Sequence, residues 1–163
     1  MINAGFNLKS AVDWFHLLVR PRNAKFAVFE SATIHLCRHF SASKMTPREI
    51  VQSWVAAFNR QDSDALAGMY AVDAVNHQVA ESPVQGRERI REMFVHGFAL
   101  AKMVCIVENL FEEGNWAILE WRDPLGLRGC GFFKIENDQI TLQRGYWDKL
   151  SFLRLQGLPL PPE

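Results

Sequence analysis

The chain has 163 residues, 48% apolar and 22% charged, the balance of a soluble globular protein with room for one hydrophobic core. Lys plus Arg and Asp plus Glu number 18 each, so the formal net charge is +0. A nucleic-acid binder would show a basic excess or stripe, so no nucleic-acid partner is expected. No apolar run approaches the roughly 20 residues of a membrane-spanning helix, so no membrane partner is expected either.

The charge is uneven along the chain. Residues 1–44 carry Lys9, Arg20, Arg22, Lys25, Arg38 and Lys44 against Asp13 and Glu30, an excess that residues 45–163 balance with the opposite sign. This first segment lacks the apolar stretch and small-residue cleavage site of a secretory signal. It reads as a targeting-like segment, as a helical extension packed on a domain, or as sequence ahead of a start at Met45, and the residues do not choose among the three. Helical spacing runs over 10–20, stopped by Pro21, and again over 25–40. Cys37, Cys105 and Cys130 are odd in number and widely spaced, with no CxxC or Cys/His cluster. They read as reduced thiols packed as small hydrophobes, with no metal expected and the cytoplasm as the expected location unless residues 1–44 direct the chain elsewhere.

At Thr46 the signals sharpen. Thr46-Pro47-Arg48-Glu49 is a capping box with proline at the first helical position. Ile50, Val51, Trp54, Val55 and Phe58 follow at helical spacing, and residues 59–62 (NRQD) break the pattern. Asp62 or Ser63 starts a short second helix through Leu66, Met69 and Tyr70. Residues 74–80 (AVNHQVA) alternate as a strand. Pro83 and Gly86 mark a loop, and 87–101 form a third helix with Ile90, Met93, Phe94, Gly97 and Phe98 on its buried side.

From there the period changes from that of a helix to that of a strand. Residues 102–111, 115–123, 128–136 and 139–150 are four strand-like runs with short, turn-rich separators, which predicts an antiparallel meander. Helices followed by a meander predict an α+β fold. Gly129, Gly131 and Gly145 mark bends or close backbone approach, so the sheet should curve and leave a pocket under the helices. LPLPPE (158–163) reads as a tail.

Residues 46–75 (TPREIVQSWVAAFNRQDSDALAGMYAVDAV), with QGRERIREMF, AILEWRD and ITLQRGYWDKLSFLRLQGLPLP, resemble nuclear transport factor 2-like domains. More narrowly they resemble SnoaL-like polyketide cyclases and limonene-epoxide hydrolases. The resemblance covers roughly residues 45–160 and leaves 1–44 outside as an extension, with 45–163 as the SnoaL-like domain. It implies a cone-shaped, curved antiparallel sheet packed on N-terminal helices, the cystatin-like α+β roll. It also implies a cofactor-free site and a homodimer formed on the outer face of the sheet. In the epoxide hydrolases the last strand holds a catalytic carboxylate whose position falls on Gly145. Their middle-strand Arg falls on Trp121, while the matching Asp123 is kept. Their water-holding Tyr and Asn fall on Asn76 and Gln78. With one carboxylate and the Arg replaced, epoxide hydrolysis is not expected.

Asp123 is the leading candidate for proton transfer, since a carboxylate near apolar surface suits acid–base work; its place before Pro124 also suits a plain turn. His77 is the second catalytic candidate, as a base if its side chain points inward. Asn76 and Gln78 would orient a substrate. Trp54, Phe58, Phe94, Trp121, Gly145 and Trp147 are the expected pocket wall, although core packing explains most of the aromatics equally well. Alternation puts Gln143, Gly145 and Trp147 on one face of the last strand and Arg144, Tyr146 and Asp148 on the other. Either set can face the pocket. Two readings of function follow. One is a domain that binds a small apolar organic ligand, with isomerase, cyclase or dehydratase chemistry on a carbonyl compound. The other is a dimerisation or scaffold domain whose pocket is filled by its own side chains.

Overall fold

The computed structural model describes residues 44–161. The expected helices at 10–20 and 25–40, and Cys37, lie outside the described residues. Helix α1, Pro47–Asn59, opens on the capping box: Thr46 N donates to Glu49 Oε2 at 2.8 Å and Glu49 N to Thr46 Oγ1 at 3.2 Å. Two of the backbone donors that a helix start leaves without partners are satisfied this way. Its apolar stripe of Ile50, Val51, Trp54 and Val55 is buried. Helix α2, Ser63–Gly68, takes Asp62 as its cap, whose Oδ1 accepts from Ala65 N at 3.0 Å.

Strand β1, Tyr70–Gln78, begins earlier than its alternation suggests. Met69 caps α2 and its carbonyl accepts from Ile140 N at 2.8 Å, so sheet pairing starts at once and Tyr70 belongs to the strand rather than to the helix. The Leu66, Met69 and Tyr70 spacing fits a helix; pairing with the last strand overrides it. Strand β2, Val84–Gln85, and helix α3, Arg87–Leu100, follow. Strands β3 (Ile106–Glu113), β4 (Trp116–Arg122), β5 (Arg128–Glu136) and β6 (Gln139–Trp147) form the meander. Asn137 and Asp138 both take positive φ, 51° and 60°, as a two-residue type I′ turn between β5 and β6 requires.

The expected α+β architecture is present: helices pack on a curved, open six-stranded sheet ordered β2-β1-β6-β5-β4-β3. The sheet is mixed rather than purely antiparallel, because β1 pairs with β6 in parallel. The connection from β1 back to β6 spans α3 and the whole meander, far longer than the hairpin that an antiparallel neighbour would need. The end of the last strand-like run departs from expectation as well. The last strand stops at Trp147, and Lys149–Leu155 form helix α4, capped by Asp148 Oδ1 accepting from Ser151 N at 2.5 Å.

The core lies between α1, α2, α3 and the inner face of the sheet, with Val51, Leu66, Tyr70, Ile90, Leu119, Phe133 and Ile140 at its centre. Gly129 sits opposite Trp121 in the β4–β5 ladder, and a Cβ there would come within 2.6 Å of the indole Cζ2 and of Tyr146 O. Glycine at 129 therefore lets the Trp121 ring lie flat across β5.

Candidate functional site

Helices α1 and α3 do not meet the inner sheet face everywhere. Between them lies a cavity of about 490 Å³. Trp54 and Phe58 from α1, Phe94 from α3, Trp121 from β4 and Phe133 from β5 form much of its wall. These rings interlock: Trp54 stacks on Phe58 at 5.0 Å and meets Phe133 edge-on at 5.2 Å. Four exposed lining residues, Glu81, Ser82, His96 and Leu100, mark the opening. Helix α4 stands near that opening, with Phe152 against Trp147 at 5.5 Å and Lys149 Nζ 2.6 Å from Glu81 Oε1.

The polar part of the wall comes from β1 and β6. Asn76 and Gln78 alternate inward from β1, and Gln143, Gly145 and Trp147 inward from β6. The parallel register sets Asn76 beside Gln143 and Gln78 beside Gly145. Trp147 Nε1 donates to Gln78 Oε1 at 2.9 Å, Gln78 Nε2 to Asn76 Oδ1 at 2.8 Å, and Asn76 Nδ2 to Gln143 Oε1 at 2.9 Å. Tyr70 OH also donates to Gln143 Oε1 and accepts from Trp54 Nε1 at 2.9 Å. Burial pushes the Tyr70 phenol far above its ordinary pKa, against the smaller opposing effect of the Trp54 and Asn76 hydrogen bonds. Tyr70 therefore stays a neutral donor at any working pH.

Gly145 explains why no carboxylate stands in the last strand. A Cβ at 145 would run into the Gln78 side chain, 2.7 Å from its Cδ and 3.0 Å from its Nε2. That side chain is held at both ends, by Trp147 and by Asn76, so it cannot swing aside freely. The Gln78 amide occupies the space that a larger residue at 145 would claim.

Asp123 ends the same cavity wall at the foot of β4 and is only 7% exposed. Its Oδ1 accepts from Leu125 N at 2.9 Å and Leu127 N at 2.8 Å, closing the turn into β5. Neither bond engages Oδ2. Asp123 thus anchors the turn that its place before Pro124 suggests, and its buried side chain also borders the cavity.

The remaining candidates divide. Trp54, Phe58, Phe94, Asn76, Gln78, Trp121, Gly145 and Trp147 all line the cavity. His77 does not: it alternates away from Asn76 and Gln78 and sits opposite Arg144 in the β1–β6 ladder, on the outer face. Asp148 leaves the sheet altogether to cap α4. Cys105 is buried, and burial pushes its thiol up to about 12; burial and, less strongly, Glu120 raise Cys130. Neither thiol offers a thiolate nucleophile at neutral pH. Among the described residues, no group of three or more His, Cys, Asp or Glu could hold a metal ion, and no helix is long and apolar enough to cross a membrane.

Sequence reasoning missed the hydrogen bond between Tyr70 and Gln143, and Phe152 on α4 and Gln156 at its end as lining. Gln143 was within reach, since it alternates with Gly145 and Trp147. The place of Tyr70 on β1 was hidden by the misplaced boundary of α2.

Comparison with known proteins agrees with this geometry. No curated protein matches the chain. Solved structures do. A hypothetical protein from Catenulispora acidiphila with a ketosteroid isomerase-like fold is 22% identical, covering 72% of this chain and 100% of its own, with a TM-score of 0.64. An epoxide hydrolase of the limonene-epoxide hydrolase-like type from M. tuberculosis is 20% identical over 68% of this chain and 88% of its own, with a TM-score of 0.59. An epoxide hydrolase/cyclase-like enzyme of pyran ring formation in salinomycin is 19% identical over 64% and 92%, with a TM-score of 0.58. At such identities these likenesses establish the fold. The SnoaL-like domain model matches residues 51–143, more than half of the chain. The chain therefore belongs to the SnoaL-like domain family.

Proposed function

We propose that residues 45–163 form a domain that takes a small, mostly apolar organic ligand into the cavity and performs cofactor-free acid–base chemistry on a carbonyl compound there. The observation that carries this reading is the space itself: about 490 Å³ lies between aromatic walls, with Trp121 and Trp147 lining it rather than filling it, and one buried carboxylate on its surface. Pockets of this size and composition are typical of small-molecule sites.

In this reading Asp123 moves the proton. Its carboxylate takes a proton from the carbon next to the carbonyl, the electron pair passes to the carbonyl oxygen as an enolate, and the same carboxyl group returns the proton at a second position. Asn76 and Gln78 orient the substrate. An isomerase fits this sequence of steps; in a cyclase the enolate carbon would instead bond to a second carbonyl whose oxygen takes the proton, and in a dehydratase the proton would leave with the departing hydroxide as water. The geometry gives no second carboxylate at 145 and no Arg at 121 for epoxide hydrolysis.

The test is thermal shift of wild type and Asp123→Asn against a panel of ketones, lactones and epoxides. Asn keeps a side-chain oxygen for the Leu125 and Leu127 amides, so the turn survives. We expect at least one carbonyl compound to stabilise both proteins, with turnover only by wild type. Identical responses of the two proteins to every compound, with no turnover by either, would remove Asp123 from the chemistry.

A homodimer belongs to the same proposal. The outer sheet face carries Phe111 and Tyr146, 56% and 41% exposed, an uncovered apolar surface of the kind that partners bury. Arg144 lies there over Trp116 at 5.5 Å and Phe132 at 6.0 Å, and its buried Nε has no partner among the described residues. Light scattering should give twice the chain mass, and Tyr146→Glu should shift it toward the monomer. A monomeric wild type contradicts the assignment, and a dimer that binds none of the panel compounds favours a scaffold role instead. The free thiols of Cys105 and Cys130 support a reducing, cytoplasmic location.

A further inference from the structure

The hydrogen bonds at the polar end of the cavity run in one direction only. An indole N–H can donate but never accept. Trp147 therefore fixes the oxygen of Gln78 toward itself, which leaves the Gln78 nitrogen to face Asn76 Oδ1. Asn76 must then present its nitrogen to Gln143 Oε1. From the other side Trp54 donates to the Tyr70 oxygen, and Tyr70 passes its own proton to the same Gln143 oxygen. Both branches end by giving hydrogens to Gln143 Oε1.

The Gln143 amide cannot be turned over. Flipping it would set its NH₂ against the Asn76 NH₂, two donors with no acceptor between them. Its Nε2 consequently points away from the cluster. Gln143 is only 4% exposed and lines the cavity, yet its Nε2 donates to no acceptor among the described residues. Because Gln143 lines the cavity, an acceptor on a bound molecule can use these hydrogens.

We infer that Gln143 is a specificity-determining residue whose amide N–H groups select a ligand bearing a hydrogen-bond-accepting oxygen, such as a ketone or lactone carbonyl. Trp147 is a positioning residue that sets this polarity through Gln78 and Asn76. The assignment rests on the proposed ligand role of the cavity and adds the chemical class that the cavity accepts. A group able only to donate meets the Gln143 amide nitrogen as donor against donor.

Two probes of the same shape test this: 2-acetylnaphthalene, and 2-isopropenylnaphthalene, in which C=CH₂ replaces C=O. Their dissociation constants are measured for wild type, Gln143→Leu and Trp147→Phe by calorimetry, and the carbonyl stretch of the bound ketone is read by infrared difference spectroscopy. The readout is the ratio of ketone to alkene affinity, which a general loss of packing does not move. We expect Gln143→Leu to lower that ratio by about 3- to 10-fold, the effect of one hydrogen bond. Trp147→Phe should lower it less. The wild-type carbonyl stretch should fall below its value in hydrocarbon solvent, a measurement that stands even if neither variant folds. A stretch at the hydrocarbon value, or a ratio that Gln143→Leu leaves unchanged while both probes bind, overturns the inference and leaves the cavity's ligand role intact. Binding of neither probe to wild type overturns both.

Discussion

The two polar ends of the cavity are built on opposite principles. At the β1–β6 end, Asn76, Gln78, Gln143 and Tyr70 hold one another by side-chain hydrogen bonds, and none of them carries a charge at neutral pH. At the β4 end, Asp123 is held by backbone amides of its own turn. The first end can recognise a polar group but cannot move a proton under working conditions. The second is where the proposed proton transfer would occur, and its side chain depends on local backbone rather than on distant partners. Recognition and chemistry are thus separable, and substitutions should separate them.

The largest expected effect comes from forcing a charge into the amide end. Gly145→Asp puts a carboxylate where the Gln78 side chain lies, with no cation among the residues that line the site's inner wall at that point. An uncompensated buried charge and a displaced amide should cost about 3–5 kcal/mol in urea unfolding. Gln78→Leu is milder. It leaves Trp147 Nε1 and Asn76 Oδ1 without their partners, and a loss of about 1–3 kcal/mol is expected by the same measurement. Asp123→Asn should change stability by less than about 1 kcal/mol, because the turn keeps its acceptor, yet it should remove turnover. If Gln78→Leu instead leaves stability unchanged while Asp123→Asn unfolds the protein, the division between the two ends is wrong.

The contrast also explains what the residues announced in advance. The capping box at Thr46, the breaker at 59–62, the β5 boundaries and the glycines at 129 and 145 were legible because each rests on local geometry: a cap, a turn or a missing Cβ. Partnership was not. Nothing in the alternation of β1 says that it pairs with β6, or in parallel, and only that register brings Asn76 next to Gln143. Trp121, Trp147 and Asp123 could be named as cavity residues from alternation and family resemblance together. His77 alternates just as well, and the parity of a single strand decided against it. Helix α4 was hidden because Asp148 continues a strand-like run. Its value as a cap, followed by Leu150 and Leu153, is the signal that could have found it.

Two pH effects sharpen the comparison at smaller scale. Tyr70 has its phenol pushed up by burial, so the folded state favours the neutral form. Its contribution to stability is complete below the ordinary phenol pKa of about 10 and is lost as pH rises above that value toward the folded one. The absorbance change of Tyr70 ionisation should therefore appear together with alkaline unfolding. Asp148 moves the other way: the Ser151 amide, the largest cause, holds its carboxyl below the usual range. The cap on α4 is fully effective above the ordinary Asp pKa of about 3.9 and weakens as pH falls through the lower folded value. Exchange protection at the Ser151 amide should drop there before the amide end of the cavity responds, since that end has no carboxylate.

The most direct test of the central claim, that the space between Trp121 and Trp147 is a ligand site with a donor at one end, is a crystal structure of the protein grown with 2-acetylnaphthalene. The account predicts the naphthalene ring between those two indoles and the carbonyl oxygen about 2.7–3.2 Å from Gln143 Nε2. A structure in which the indoles close the space, or in which the ketone sits on the outer sheet face beside Arg144, would contradict it.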